Sequence, residues 1–188
     1  YLESPKDGEV NVDDDGEDET SLALRIAGTP LMKDKNHLLH LGASYMYKQA
    51  HGDRARVRQR VVSHLSDRAL NADFGTDVDD INAFDLEALA VWGPFHALGE
   101  FVHWSVDDKS TGNANLNAWS IEAGWFLTGE SMKYKKGQFS GISPKSPFMN
   151  GGLGAWQLAL RFENMDLNDG AIVGGDADVL TAGINWYP

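Results

Sequence analysis

Four arginines, Arg54, Arg56, Arg58 and Arg60, recur at every second residue. In an extended chain, residues two apart project from one side at roughly 7 Å spacing, because a strand rises about 3.3 Å per residue. A guanidinium holds its charge at any physiological pH and offers a planar fork of N–H donors that suits phosphate oxygens. A row of such forks passes an anion from one to the next, provided each binds weakly enough to release it. The same run also fits a solvated charged loop or a basic patch facing lipopolysaccharide, and the residues alone leave these readings open. Lys133, Lys135 and Lys136 form a second basic group. It reads either as a collection patch for small inorganic anions or as a solvated turn.

Other chemical signals fall away on inspection. Asp73-Phe74-Gly75 matches a kinase tripeptide, but no catalytic loop or glycine-rich nucleotide loop accompanies it. Gly152-x-Gly154 lacks a third glycine and precedes a strand pattern rather than a helix. His37 and His40 have a helical spacing on a segment that alternates like a strand, and no Glu-bearing zinc motif is present. His64, His96 and His103 are scattered. Asn11, Asp13, Asp15 and Gly16 have the spacing of a calcium loop, yet Leu22 stands where the closing Glu belongs. The chain has no cysteine, which excludes disulfides and thiolate chemistry. No catalytic residues, no metal and no cofactor are expected.

The elements that must carry the arginines are strands. In residues 154–164, Trp156, Leu158, Leu160 and Phe162 alternate strictly with Gln157, Ala159, Arg161 and Glu163, which is the period of a strand. One side is entirely apolar and the other carries ions. A soluble sandwich buries such a side; a membrane barrel turns it to lipid and keeps the ions in a watery lumen. The pattern recurs in 20–28, 37–48, 81–92, 95–105, 116–127 and 177–187, giving about seven strands of roughly ten residues, the length of a tilted span. On the barrel reading, the lipid side holds Leu22, Leu24, Leu39, Leu41, Leu86, Trp119, Ile121, Trp125, Trp156, Leu158, Leu160, Phe162, Ile184 and Trp186. The lumen side holds Arg25, Lys48, Asp85, Glu87, Glu100, Glu122, Arg161 and Glu163, whose cations and acids are placed to pair. Tyr45, Tyr47, Trp92, Trp125, Trp186 and Tyr187 lie near strand ends, as interfacial girdles do.

Residues 1–188 are expected to be part of one β-barrel domain: an acidic external loop (1–19), a hairpin (20–48), a long loop with the arginines (49–80), three strands (81–127), a long turn (128–152) and a hairpin (153–188). Net charge is −12, from 28 acids against 16 bases, which argues against nucleic acid as a partner. No apolar run is long enough for a membrane helix; the best, Leu86 to Trp104, is broken by Glu87, Gly93-Pro94, His96 and Glu100. Short connections, 29–36 and 93–94, are expected at one end. Longer ones, 49–80, 107–115 and 166–176, are expected at the other, with 128–152 as the exception. Seven strands leave the chain ends on opposite membrane faces, which a closed antiparallel barrel of even strand count does not allow. The expectation is therefore an internal piece of a larger barrel. The alternative is a complete eight-stranded barrel that uses the arginine segment as a strand. Two other readings stand beside a channel: a structural or adhesive outer-membrane barrel, and a secreted carbohydrate-binding β-sandwich.

Several segments resemble the phosphate-selective porin O/P family of Gram-negative outer membranes. Gly154-Ala155-Trp156-Gln157-Leu158-Ala159-Leu160-Arg161 is similar to its Gly-Ala-Trp-Glu strand. Thr181-Ala182-Gly183-Ile184-Asn185-Trp186-Tyr187-Pro188 is similar to its late strand and turn. Phe126-Leu127-Thr128-Gly129-Glu130 with Tyr134-Lys135-Lys136-Gly137 resembles a strand exit and basic turn. Arg56-Val57-Arg58-Gln59-Arg60, followed by His64-Leu65 and Asp67-Arg68, resembles its arginine loop, although Val61-Val62 replace the usual Pro-Glu. The resemblance implies a sixteen-stranded, all-β, antiparallel transmembrane barrel. It also implies a homotrimer in outer-membrane lipid and lipopolysaccharide, loops folded into the lumen, and an arginine ladder guiding phosphate or polyphosphate. On that template, residues 20–187 correspond to about strands eight to fourteen.

Overall fold

The computed structural model describes residues 10–12, 20–59, 69–135 and 138–188, with backbone alone for 10–12, 51–53 and 59. Strands in chain order are β1 (Val10–Val12), β2 (Ser21–Asp34), β3 (His37–Asp53), β4 (Ala55–Gln59), β5 (Leu70–Asp73), β6 (Val78–Trp92), β7 (Phe95–Asp108), β8 (Ala114–Phe126), β9 (Lys133–Lys135), β10 (Gln138–Ser140), β11 (Ala155–Asp169) and β12 (Ile172–Tyr187). The long strands form one seven-stranded antiparallel sheet in the order β12-β11-β8-β7-β6-β3-β2. The fold is all-β, and the described residues include no α-helix. The arginine strand β4 lies in a separate three-stranded sheet, β1-β4-β5, so it is not an eighth strand of the large one.

Residues paired across neighbouring strands project to the same face, so the register sorts every side chain. Tyr45 pairs with Leu24 and Phe84, and Leu86 with Ala43 and Phe101. Phe101 pairs with Trp119, Ile121 with Phe162, and Leu158 with Trp125 and Ile184. One face is thus apolar across all seven strands. It is also open: Leu24 is 58% exposed, Ile121 54%, Leu160 52% and Ile184 67%. Among the described residues no second sheet covers it, as a β-sandwich would require.

The strands run further than the apolar alternation suggests, from 13 residues in β8 to 17 in β3. Polar ends explain the difference. Asp166 still pairs with Asp176, and Asp169 with Ile172, so 166–176 is a continuing hairpin closed by Gly170-Ala171 rather than a loop. Gly170 has φ 56°, the left-handed conformation such a turn needs. The 107–115 loop shrinks likewise, since Ala114 pairs with Val106. Two tight connections therefore share an end with the arginine segment, and loop length no longer separates the two ends of the sheet.

Both long insertions fold back over the polar face. At one end Ala55, Val57, Leu70 and Ala72 of the small sheet, with Phe74 just after it, pack on Ile81, Val106, Leu116, Leu167 and Ile172 of the large one. Gly174 makes room for this, because an added Cβ would lie 2.8 Å from Ala72 Cα. At the other end Leu38, Leu89 and Val91 are covered by Met132, Tyr134 and Phe139 of the 128–152 connection, which holds the β9-β10 hairpin and a 3-10 turn at Phe148–Asn150.

Candidate functional site

The arginine strand obeys the period of two. Ala55 and Val57 are buried, which turns the alternate Arg54, Arg56 and Arg58 away from the large sheet. Arg60 lies outside the described residues. In the β4-β5 ladder Arg56 pairs with Asp73 and Arg58 with Asn71. Asp73 accepts from Arg54 Nε at 2.8 Å and from its Nη2 at 2.5 Å. Its Oδ1 also lies 3.5 Å from Arg56 Nε. The hydrogen bond from Arg54, with the charges of Arg54 and Arg56, holds the Asp73 carboxyl below its ordinary value in spite of partial burial.

Asp73 is a partner that the sequence pattern does not announce, since there it stands out only within a kinase-like tripeptide. The structure gives all three residues another use. Phe74 fills the core at 2% exposure, and Gly75 donates its N–H to Asp108 at 2.8 Å. The alternation Leu70, Ala72, Phe74 against Asn71, Asp73 was the available signal, hidden by its brevity.

The polar face of the large sheet carries Arg25, Lys48, Asp85, Glu87, Glu100, Glu122, Arg161 and Glu163. All eight occupy its register positions. Arg25 pairs with Glu87, whose Oε1 also lies 3.0 Å from His40 Nε2. Arg161 pairs with Glu163 at 2.8 Å, although its neighbour in the ladder is Glu122. Ser44 donates to Asp85 at 3.1 Å. His40, 1% exposed, also meets the Tyr134 hydroxyl at 2.9 Å, fastening the connection to the wall. His96, likewise buried, accepts from the Gln157 amide at 3.0 Å.

Lys133 and Lys135 are exposed on β9, at the end of the sheet opposite the arginines; Lys136 lies outside the described residues. Glu130, 3% exposed, accepts from the Lys145 amide at 3.0 Å and from the Thr128 hydroxyl. Burial alone would raise its pKa, but these bonds bring it below the ordinary value. Asp13, Asp15 and Gly16 of the calcium-like spacing also lie outside the described residues; among those described, no acid or histidine cluster suits a metal.

All the residues assigned by sequence to the lipid side, from Leu22 and Leu24 through Leu39, Leu41 and Trp156 to Trp186, share the apolar face. At one rim Trp92, Phe95, Trp125, Trp156 and Trp186 form an aromatic row, with Phe95 stacked on Trp125 at 5.7 Å. The Trp186 indole donates to Leu153 O at 3.0 Å. Tyr187 does not belong to this row. It pairs with Ala155 on the polar face and donates its hydroxyl to Gln157 at 2.7 Å. Successive residues of a strand point to opposite faces, so Trp186 and Tyr187 cannot both join one girdle.

A sheet with one continuous apolar face, an aromatic rim and a charged face under folded-in loops has the construction of a transmembrane β-barrel wall. The family model described as phosphate-selective porin O and P matches residues 8–188, and the chain belongs to that family of outer-membrane porins. Porin O of Pseudomonas aeruginosa is 25% identical over 220 residues, covering 100% of this chain and 49% of that protein. An uncharacterized protein of Caulobacter vibrioides is 36% identical over 154 residues, covering 80% of this chain and 31% of that protein. The chain thus spans about half the length, or less, of the relatives it matches.

Proposed function

We propose that the whole protein is a trimeric porin of the Gram-negative outer membrane that passes small anions, phosphate or polyphosphate, by passive diffusion. Arg54, Arg56, Arg58 and Arg60 are its lumenal ladder, and Lys135 and Lys136 collect anions at the opposite mouth. The apolar face from Leu22 to Trp186 meets lipid, and the face with Arg25, Lys48 and the wall acids meets water. One observation carries this reading. The arginine strand is buried on its alanine and valine side against the large sheet, so its arginines project from the opposite side of the strand. A planar fork fixed this way suits a tetrahedral oxyanion better than a freely moving side chain does.

A second reading, a barrel without transport selectivity, draws support from two observations. Asp73 already holds Arg54 and Arg56. The wall also carries five acids, Asp85, Glu87, Glu100, Glu122 and Glu163, against the cations Arg25, Lys48 and Arg161. Planar-bilayer conductance of the full-length protein separates the two. Replacing Arg54, Arg56 and Arg58 together with Ala is expected to raise the half-blocking phosphate concentration for chloride current by on the order of 1,000-fold, at roughly one charge-assisted contact per arginine. Unchanged block removes the ladder and leaves the unselective barrel.

A further inference from the structure

We infer that Asp73 is a built-in counter-ion of the arginine strand, which a passing anion must displace from Arg54 and Arg56, and which thereby sets anion affinity and preference by charge. The inference rests on the proposed anion passage. Asp73 presents to Arg54 the same planar, two-oxygen face that a phosphate presents, bonded to both Nε and Nη2. It sits opposite Arg56 in the ladder, with Oδ1 in ion-pair range of Nε. The carboxylate therefore occupies the seat between two rungs of the ladder.

The seat is open on its Arg54 side, while Arg56 Nε is buried behind it. Arg54 and Asp73 side chains are 41% and 33% exposed, whereas Phe74 beside them is buried. An ion pair this open to water exchanges readily. The backbone that carries Asp73 is fixed by Leu70, Ala72 and Phe74 in the core, so the carboxylate can swing off a guanidinium without the strand moving. A singly charged anion brings no more charge to the forks than Asp73 already supplies. A doubly charged oxyanion brings more, so the exchange favours phosphate dianion over chloride. The same competition returns the arginines to Asp73 when the anion leaves, which shortens its stay.

The test is single-channel recording on the full-length porin, with inorganic phosphate as blocker of chloride current. Asp73→Asn is expected to lower the half-blocking phosphate concentration by on the order of tenfold and to lengthen each block, because the competitor has lost its charge. Asp73→Glu keeps the charge and is expected to stay near the unmodified value. Asp73→Ser supplies a second neutral variant if the amide impairs assembly. A half-blocking concentration that is unchanged or raised in the neutral variants overturns the inference and makes Asp73 a positioning residue only. If Arg54→Ala and Arg56→Ala weaken block while the Asp73 variants do not tighten it, the counter-ion fails and the anion path stands. If the unmodified porin shows no phosphate block at all, both fail.

Discussion

The arginine sheet and the 128–152 connection both fold back over the polar face, from opposite ends, and they are held by different forces. The arginine sheet rests on a hydrophobic cluster that joins Phe74, Leu70 and Val57 to Ile81, Val106, Leu116, Leu167 and Ile172. Among the described residues the connection covers a smaller cluster, Leu38, Leu89 and Val91 with Leu98, and adds polar bonds: Tyr134 reaches His40 on the wall, and Glu130 ties Thr128 to Lys145 within the connection itself. Burying an apolar side chain contributes about 1.5–3 kcal/mol, whereas an intramolecular hydrogen bond contributes a net of about 0.5–1.5 kcal/mol. The difference suits the two proposed tasks. A row of forks that must meet an oxyanion in register needs a rigid support. A basic patch at a mouth needs only to stay near its position.

The strongest way to break that contrast is to hollow out the core under the arginines. Phe74→Ala is expected to cost about 3–5 kcal/mol locally, from lost transfer energy plus a cavity. Hydrogen exchange in the full-length protein would report it. Protection of the Arg56–Asp73 ladder is expected to fall by on the order of 10²–10³-fold, while β9 and β10 keep theirs. Equal loss in both regions would mean that they form one cooperative unit and that the contrast is false.

Acid is a gentler probe, because each region holds one carboxylate below its ordinary value: Asp73, through Arg54 and Arg56, and Glu130, whose bonds from Thr128 and Lys145 outweigh burial. A carboxylate whose folded pKa lies below its unfolded one stabilises the fold above the unfolded value. That stabilisation is lost as pH falls through the folded value. The expected window therefore opens below the ordinary values of 3.8 for Asp73 and 4.5 for Glu130. Above it, neither region should respond through these groups. Below it, the connection is expected to lose protection first, since little apolar surface remains to hold it. The arginine sheet keeps its core and loses only the Asp73 contacts. The reverse order in a pH series of exchange measurements would overturn the assignment of forces.

Much of this could be read from the residues, and the unread part has a physical reason. The seven long strands announce themselves because each must show one face to an apolar medium and the other to water, so Trp156-Gln157-Leu158-Ala159-Leu160-Arg161 alternates without exception. Where the strands leave the apolar band that constraint ends. Asp166, Asn168 and Asp176 look like loop residues although their backbones still pair. The small sheet was harder still. Arg54, Arg56 and Arg58 stood out by charge, yet their support comes from Leu70, Ala72 and Phe74, in a four-residue strand and the residue after it. Asp73 gains its role only through a pairing that no local pattern encodes.

The smallest and most discriminating change is Tyr134→Phe. It removes one hydroxyl that meets His40 Nδ1 at 2.9 Å and keeps the ring, whose centroid lies 5.6 Å from the imidazole. His40 keeps its contact with Glu87, so the loss is one hydrogen bond to a buried ring nitrogen rather than a stranded charge. That is about 1–3 kcal/mol, because the nitrogen left behind is buried. If polar fastenings hold the connection, protection across Lys133–Lys135 and Gln138–Ser140 falls by on the order of tenfold to 100-fold and the arginine sheet does not respond. If the ring packing of Tyr134, Met132 and Phe139 is what holds it, the substitution is silent, and the two insertions differ in the amount of apolar surface they bury rather than in the kind of force.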